Sequence, residues 1–237
     1  MSLLSIIQSH CKINALAVPT SVIGSTETQI IQLSEILSEV INEIVAESKF
    51  SVTNQECVFT AVPTKSQGTM DVLCPYGYQY PIFETFFDRT LMRPLYGPLT
   101  ESEWQRLMAL PTAGVWYKYR INQNELWFDP VPADPFSTIA FEYMSSWAVK
   151  SSGGVLKAAT TDDADTFVFP ENILKRGLAF RWKQIKGLPY QADETAYYNM
   201  LNNYIARDKV KSRIDVSEGE PVDVKPGIFV PSNSWNV

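Results

Sequence analysis

One histidine, His10, and three cysteines serve a chain of 237 residues, and no apolar run approaches the ~18 residues of a membrane span. His10 stands beside Cys11, but neighbours in a helix point about 100° apart, so the two do not make a dyad. His10 therefore reads as a structural or surface residue. Cys11, Cys57 and Cys74 are odd in number and form no CxxC pair, which fits thiols buried as small hydrophobes in a reducing compartment. There is no GxSxG, HExxH, P-loop or GxGxxG, so nothing anchors a hydrolase or nucleotide site. No positive excess exists either: the net charge of −6 argues against nucleic-acid or anionic-membrane affinity as the driver of function. The opening MSLLSIIQSHCKI lacks a basic region and a long apolar core, so no signal peptide is expected and synthesis is assigned to the cytoplasm. No internal repeat is visible.

What is present is globular: 45% apolar and 19% charged residues, with aromatics at 12% and 15 prolines. Residues 3–12 predict a short helix with Leu3, Leu4, Ile6, Ile7 and Cys11 on one face. After a loop over 15–25, Thr26 and Gln29 suggest a capping box for a helix over 27–48. There Ile30, Leu33, Leu37, Val40, Ile41 and Ile44 recur at three and four, the spacing of one buried stripe. From 50 to 147 the period shifts towards two, in VFTAV, IFETFFD, VWYKYRI, ELWFD and TIAFEYMSSW. RINQNELWF reads as a hairpin. One helix is expected within this region, near 100–109, with Thr100 and Glu103 as its capping box. Helical spacing returns at Pro170, with Leu174, Leu178, Trp182 and Ile185 on one face and a stop near Gly187. Asp193 is the expected cap of a last helix, striped by Ala196, Tyr197, Met200, Leu201, Tyr204 and Ile205.

These elements predict an α+β fold. Residues 1–50 and 161–215 supply helices of an antiparallel bundle, 51–160 an inserted antiparallel β-rich domain, and 216–237 an extended C-terminal tail. In the tail Pro221, Pro226 and Pro231 forbid helix, while Ile228, Phe229, Val230 and Trp235 are apolar anchors of the kind that dock on another surface.

Three polar patterns bear on chemistry. Asp162, Asp163 and Asp165 miss calcium-loop spacing and read as a turn with a solvated acidic face. Glu35, Glu39, Glu43 and Glu47 recur every four residues with no base between them. Like-charge neighbours of this kind each cost an isolated helix roughly 0.2–0.5 kcal/mol. The face is therefore either solvated, a subunit contact, or the wall of a channel. Lys175, Arg176, Lys183 and Lys186 form a basic arc on a second helix, a counterpart for such a contact. No catalytic, metal-binding or cofactor-binding residue is assigned, and the chain reads as a non-enzyme.

RPLYGPLTESEWQRL sets a stiff corner, with Arg93, Pro94, Gly97 and Pro98 ahead of a helix anchored by Trp104. This stretch is followed by VWYKYRINQNELWFDPVP, IAFEYMSSWAV and DADTFVFPENILKRGLAFRWKQIKGLPY. The ordered set resembles the head-to-tail adaptors of tailed bacteriophages (head-completion, tail tubular protein A-like proteins). VPTSVIGSTETQIIQLSEILSEVINEI is similar to their first long helix and its approach loop. The resemblance covers residues 15–210. It implies a virion neck protein that forms a homo-oligomeric ring of about twelve copies and binds the portal protein and the next tail component, a nozzle or tail tube. Packaged DNA would pass through its channel without sequence-specific binding. The corner would then present a fixed β-domain edge to a neighbour. A virion-associated cell-wall hydrolase or carbohydrate-binding module is the alternative, using exposed aromatics and spare carboxylates.

Overall fold

The computed structural model describes residues 2–47, 50–109, 114, 116–133 and 137–208. The chain opens with α1 (Leu3–Ile13) and α2 (Thr28–Glu47), then β1 (Asn54–Thr60), β2 (Ser66–Thr69), α3 (Met70–Leu73) and β3 (Tyr78–Pro81). The hairpin β4 (Phe87–Asp88) and β5 (Arg93–Pro94) leads to α4 (Glu101–Ala109), β6 (Lys118–Asn122), β7 (Glu125–Asp129) and β8 (Thr138–Ser145). Short strands β9 (Val149–Lys150), β10 (Leu156–Lys157) and β11 (Thr166–Phe167) precede α5 (Glu171–Ile185) and α6 (Gln191–Asp208). The protein is mixed α+β with antiparallel sheets.

The stripes read from the sequence face one another. α1, α2, α5 and α6 share a core with Phe50, Ala148 and Phe169. All six expected α2 positions are buried, and Ile36 and Val45 widen the stripe. At Gly177 an added Cβ would lie 2.5 Å from a Val40 methyl and 3.0 Å from the Tyr197 ring. Glycine is required there because three helices meet at that point. Ile185, expected on the α5 stripe, is instead 51% exposed. It is the last residue of its helix, so the partner surface ends before it; Phe180 contributes to the core instead.

The helix ends follow local chemistry in two places and depart from it in two. Thr100 and Glu103 form the expected box: the Thr100 N–H donates to Glu103 Oε2 at 2.9 Å and the Glu103 N–H to Thr100 Oγ1 at 3.3 Å. α5 stops at Gly187, whose φ of +69° lets the Leu188 N–H turn back to the Lys183 carbonyl at 2.9 Å. α2, however, begins at Thr28, with the Glu27 carbonyl accepting from Ile30 and Ile31, so Thr26 and Gln29 are not its box. α6 begins at Gln191, two residues ahead of Asp193, which is drawn to Lys183 at 2.5 Å instead.

A second core is built from the β region. β8 lies at its centre, paired with β1 along seven residues on one side and with β3 and β4 on the other. β5 extends this sheet beyond β4. β2, β7 and β6 make a second sheet, and the β6–β7 turn uses Gln123 and Asn124 at positive φ, as a two-residue hairpin demands. Phe86 is stacked between Tyr119 at 4.1 Å and Phe141 at 4.2 Å, which joins the two sheets. The region holds α3 as well as α4, so more than one helix interrupts it. The third sheet, β10–β9–β11, lies against the helical core through Phe167 of β11.

Candidate functional site

The two charged helix faces are the first candidate. Glu35, Glu39 and Glu47 are exposed along α2. Glu43 departs from that column. Its carboxylate accepts from Arg181 of α5 at 2.7 Å and from the Tyr198 hydroxyl of α6 at 3.0 Å. Burial lowers the Arg181 guanidinium pKa, but the hydrogen bond and charge of Glu43 outweigh it and the net shift is upward. Tyr198 is raised, first by burial and then by Glu43. The basic arc is similarly engaged within the chain: Lys175 pairs with Glu171, Lys183 with Asp193, and Lys186 donates to Gln32 at 2.9 Å. Arg176 is exposed. Arg181 and Tyr198 escaped the sequence reading because their meaning comes from a glutamate 138 and 155 residues away, respectively. The surfaces available to a neighbour are thus Glu35, Glu39 and Glu47 on one helix and Arg176 on the other.

The corner is the second candidate. Arg93 and Pro94 form β5, the outermost strand of the five-stranded sheet. The Gly97–Pro98 peptide is cis. Residues 96–99 are pinned along β6: the Tyr96 N–H donates to the Tyr117 carbonyl at 3.0 Å, and the Tyr119 N–H returns to Tyr96 at 2.8 Å. A Cβ on Gly97 would lie 2.4 Å from the Tyr119 carbonyl oxygen, so the close approach excludes any side chain there. Trp104 is 8% exposed and anchors α4. The corner therefore couples the two β sheets. On its outer side the Arg93 guanidinium lies 5.3 Å over the Trp116 ring and Tyr96 meets Trp116 edge-on at 5.6 Å, while Leu91 and Met92, just ahead of Arg93 in the chain, are exposed. This is an apolar and cationic rim at a sheet edge.

The aspartate turn is not a solvated acidic face. Asp165 is 1% exposed and takes Lys157 Nζ at 2.7 Å, together with the N–H groups of Thr161 and Asp162. Asp163 accepts the N–H groups of Val22 at 2.9 Å and Ile23 at 2.8 Å. Burial pushes both carboxyls up, and these hydrogen bonds bring each to a net shift below the ordinary carboxylate range. Their oxygens are committed to structure. Among the described residues no group of three or more His, Cys, Asp or Glu could hold a metal ion.

His10 is 4% exposed and packs edge-on against Trp182 at 5.2 Å. Burial, assisted by the charge of Lys183, lowers its pKa to about 4. The residue is a core histidine kept neutral, and Cys11 beside it is fully buried. Cys57 and Cys74 are buried free thiols. Pro226, Ile228, Phe229, Val230, Pro231 and Trp235 of the tail lie outside the described residues.

The fold and these surfaces define a mixed α+β protein whose exposed features are charged helix faces and an aromatic sheet rim. A scan against protein-family models matched none, and a search of curated proteins found no significant relative.

Proposed function

We propose that this chain is a structural virion protein. It would be a ring-forming adaptor, an antiparallel helix bundle with an inserted β-rich domain, that joins the portal of a capsid to the tail and extends the DNA channel. The observation that carries the reading is architectural. Helices from both ends of the described chain share one core, the β-rich segment lies between them in sequence, and the adaptor-like stretches occur in that same order. A closed ring made by head-to-tail contacts needs two different complementary patches on each subunit. Glu35 and Glu39 on α2 and Arg176 on α5 are candidates for one such pair, and the rim of Arg93, Tyr96 and Trp116 is a candidate face for another.

Mass photometry and electron microscopy of the full chain, alone and with a portal ring from the same virion, test the reading. Rings of about twelve copies seated on the portal are the expected result. A chain that stays monomeric at every concentration and does not bind the portal overturns it. Within an assembled ring, Glu35→Lys with Glu39→Lys should weaken assembly, and Arg176→Glu should partly restore it. Unchanged assembly in the first variant assigns that face to solvent or to the channel.

A further inference from the structure

A groove of about 490 Å³ opens between the helical core and the five-stranded sheet. Phe50 and Ser51 line one side, Tyr80, Pro81, Ile82 and Phe83 the other, with Met144 of β8 also in its wall. Its volume is that of a site which buries several side chains. Phe83 leaves 49% of its surface exposed there. Asn54 also lines the groove. Its Nδ2 donates to Glu142 at 2.7 Å, while its buried Oδ1 has no partner among the described residues. An unmet buried acceptor in an apolar groove calls for an N–H donor.

The polypeptide itself is delivered to this place. Asp208, the last residue of α6 and a lining residue of the groove, is clamped to Ser51 through its N–H at 2.6 Å and its hydroxyl at 2.6 Å. Residues 209–237 follow directly. They begin with Lys209, Lys211 and Arg213, which suit the acidic end of the groove at Asp208, and they include the apolar stretch Gly227-Ile228-Phe229-Val230-Pro231. An extended segment of this type offers free backbone N–H groups and alternating apolar side chains, the two things the groove lacks. Tethering sets the effective concentration in the millimolar range, so a modest intrinsic affinity suffices within one chain where a second copy would have to be concentrated to compete.

We propose that residues 227–231 occupy this groove in their own chain, with Phe229 against Phe83 and a backbone N–H on Asn54 Oδ1. The inference does not rest on the adaptor reading. If both hold, any partner that takes up the tail must first displace it from the groove.

The test uses the full chain with Ile82→Cys, in the groove wall beside an intact Phe83, and Val230→Cys, oxidised by copper–phenanthroline at low protein concentration. Cys11, Cys57 and Cys74 are each at most 1% exposed, so only the introduced thiols react. The control pair is Val72→Cys with Val230→Cys, because Val72 is 79% exposed and does not line the groove. The expected result is an internally cross-linked monomer, formed at least ~10-fold faster than in the control by virtue of a held contact rather than tether collision. Equal rates overturn the proposal, and a covalent dimer as the main product overturns it in favour of a second copy. Hydrogen exchange of the unmodified chain decides independently: amides at 228–230 should be protected at least ~10-fold, and lose that protection in Phe83→Ser. Exchange at free-peptide rates in the unmodified chain overturns it.

Discussion

Arg181 on α5 reaches Glu43 on α2 at 2.7 Å, and the Tyr198 hydroxyl of α6 donates to the same carboxylate at 3.0 Å. One acidic side chain thereby fixes three helices that come from the two ends of the described chain. Its position, half-buried at the junction, makes it a register pin more than a surface ion pair.

Removing one partner is the direct check. Arg181→Ala leaves the Glu43 charge at a partly buried site without its cation, and should destabilise by about 1–3 kcal/mol. Glu43→Gln in the same background should cost less than it does alone. Chemical denaturation of the four proteins in a double-mutant cycle measures the coupling, and a coupling near zero refutes the pin.

Gly177→Ala places a methyl group 2.5 Å from Val40 Cγ1. Overpacking at such a contact should cost about 1–3 kcal/mol, and Val40→Ala should recover part of it in the double variant. A thermal melt that leaves Gly177→Ala unchanged would show the helices able to move apart freely.

His10 links stability to pH. Its folded pKa, lowered to about 4, lies below its ordinary 6.5, so between those values the unfolded chain binds more protons. The stabilising contribution is complete above pH 6.5 and is lost as the pH falls towards 4. The loss should be on the order of 2 kcal/mol, and His10→Gln should flatten that part of the stability profile. Asp163 and Asp165, both held below the ordinary carboxylate range, add their own loss at more acidic pH, with the same sign. A wild-type profile flat from pH 6.5 to 4 rules out a buried neutral histidine.

Asp163→Ala should free the N–H groups of Val22 and Ile23, destabilising by about 1–2 kcal/mol. Amide exchange should rise at residues 22 and 23 well before it rises in α2. Calcium should shift the melting temperature of neither protein, because the oxygens already have partners.

The sequence was most informative where the signal is local. The α2 stripe from Ile30 to Ile44, the Gln123-Asn124 hairpin, the Thr100–Glu103 box and the Gly187 stop all follow from spacing or φ preference within a few residues. It misled where a distant partner decides. Glu43 belongs to the acidic column by period and to the interior by contact. Asp193 has the chemistry of a cap but is claimed by Lys183, and Asp165 has the composition of a loop but is closed over by Lys157. No local pattern distinguishes these cases, since the competing group lies on another element. The groove beside Asp208 had no sequence signal, because its walls come from four separate stretches.

The shared helical core has a consequence for biosynthesis. α2 ends at Glu47, and α5, against which it packs, starts at Glu171. At bacterial or eukaryotic synthesis rates of about 5–20 residues per second, the ribosome needs roughly 6–25 s merely to reach the second half of that core. For that interval the apolar stripe of α2 has nothing but α1 to cover it, while the β region can complete its own core in the meantime. The nascent chain thus exposes its stickiest surface first and covers it last, which makes the first fifty residues the natural place for a chaperone to hold during translation.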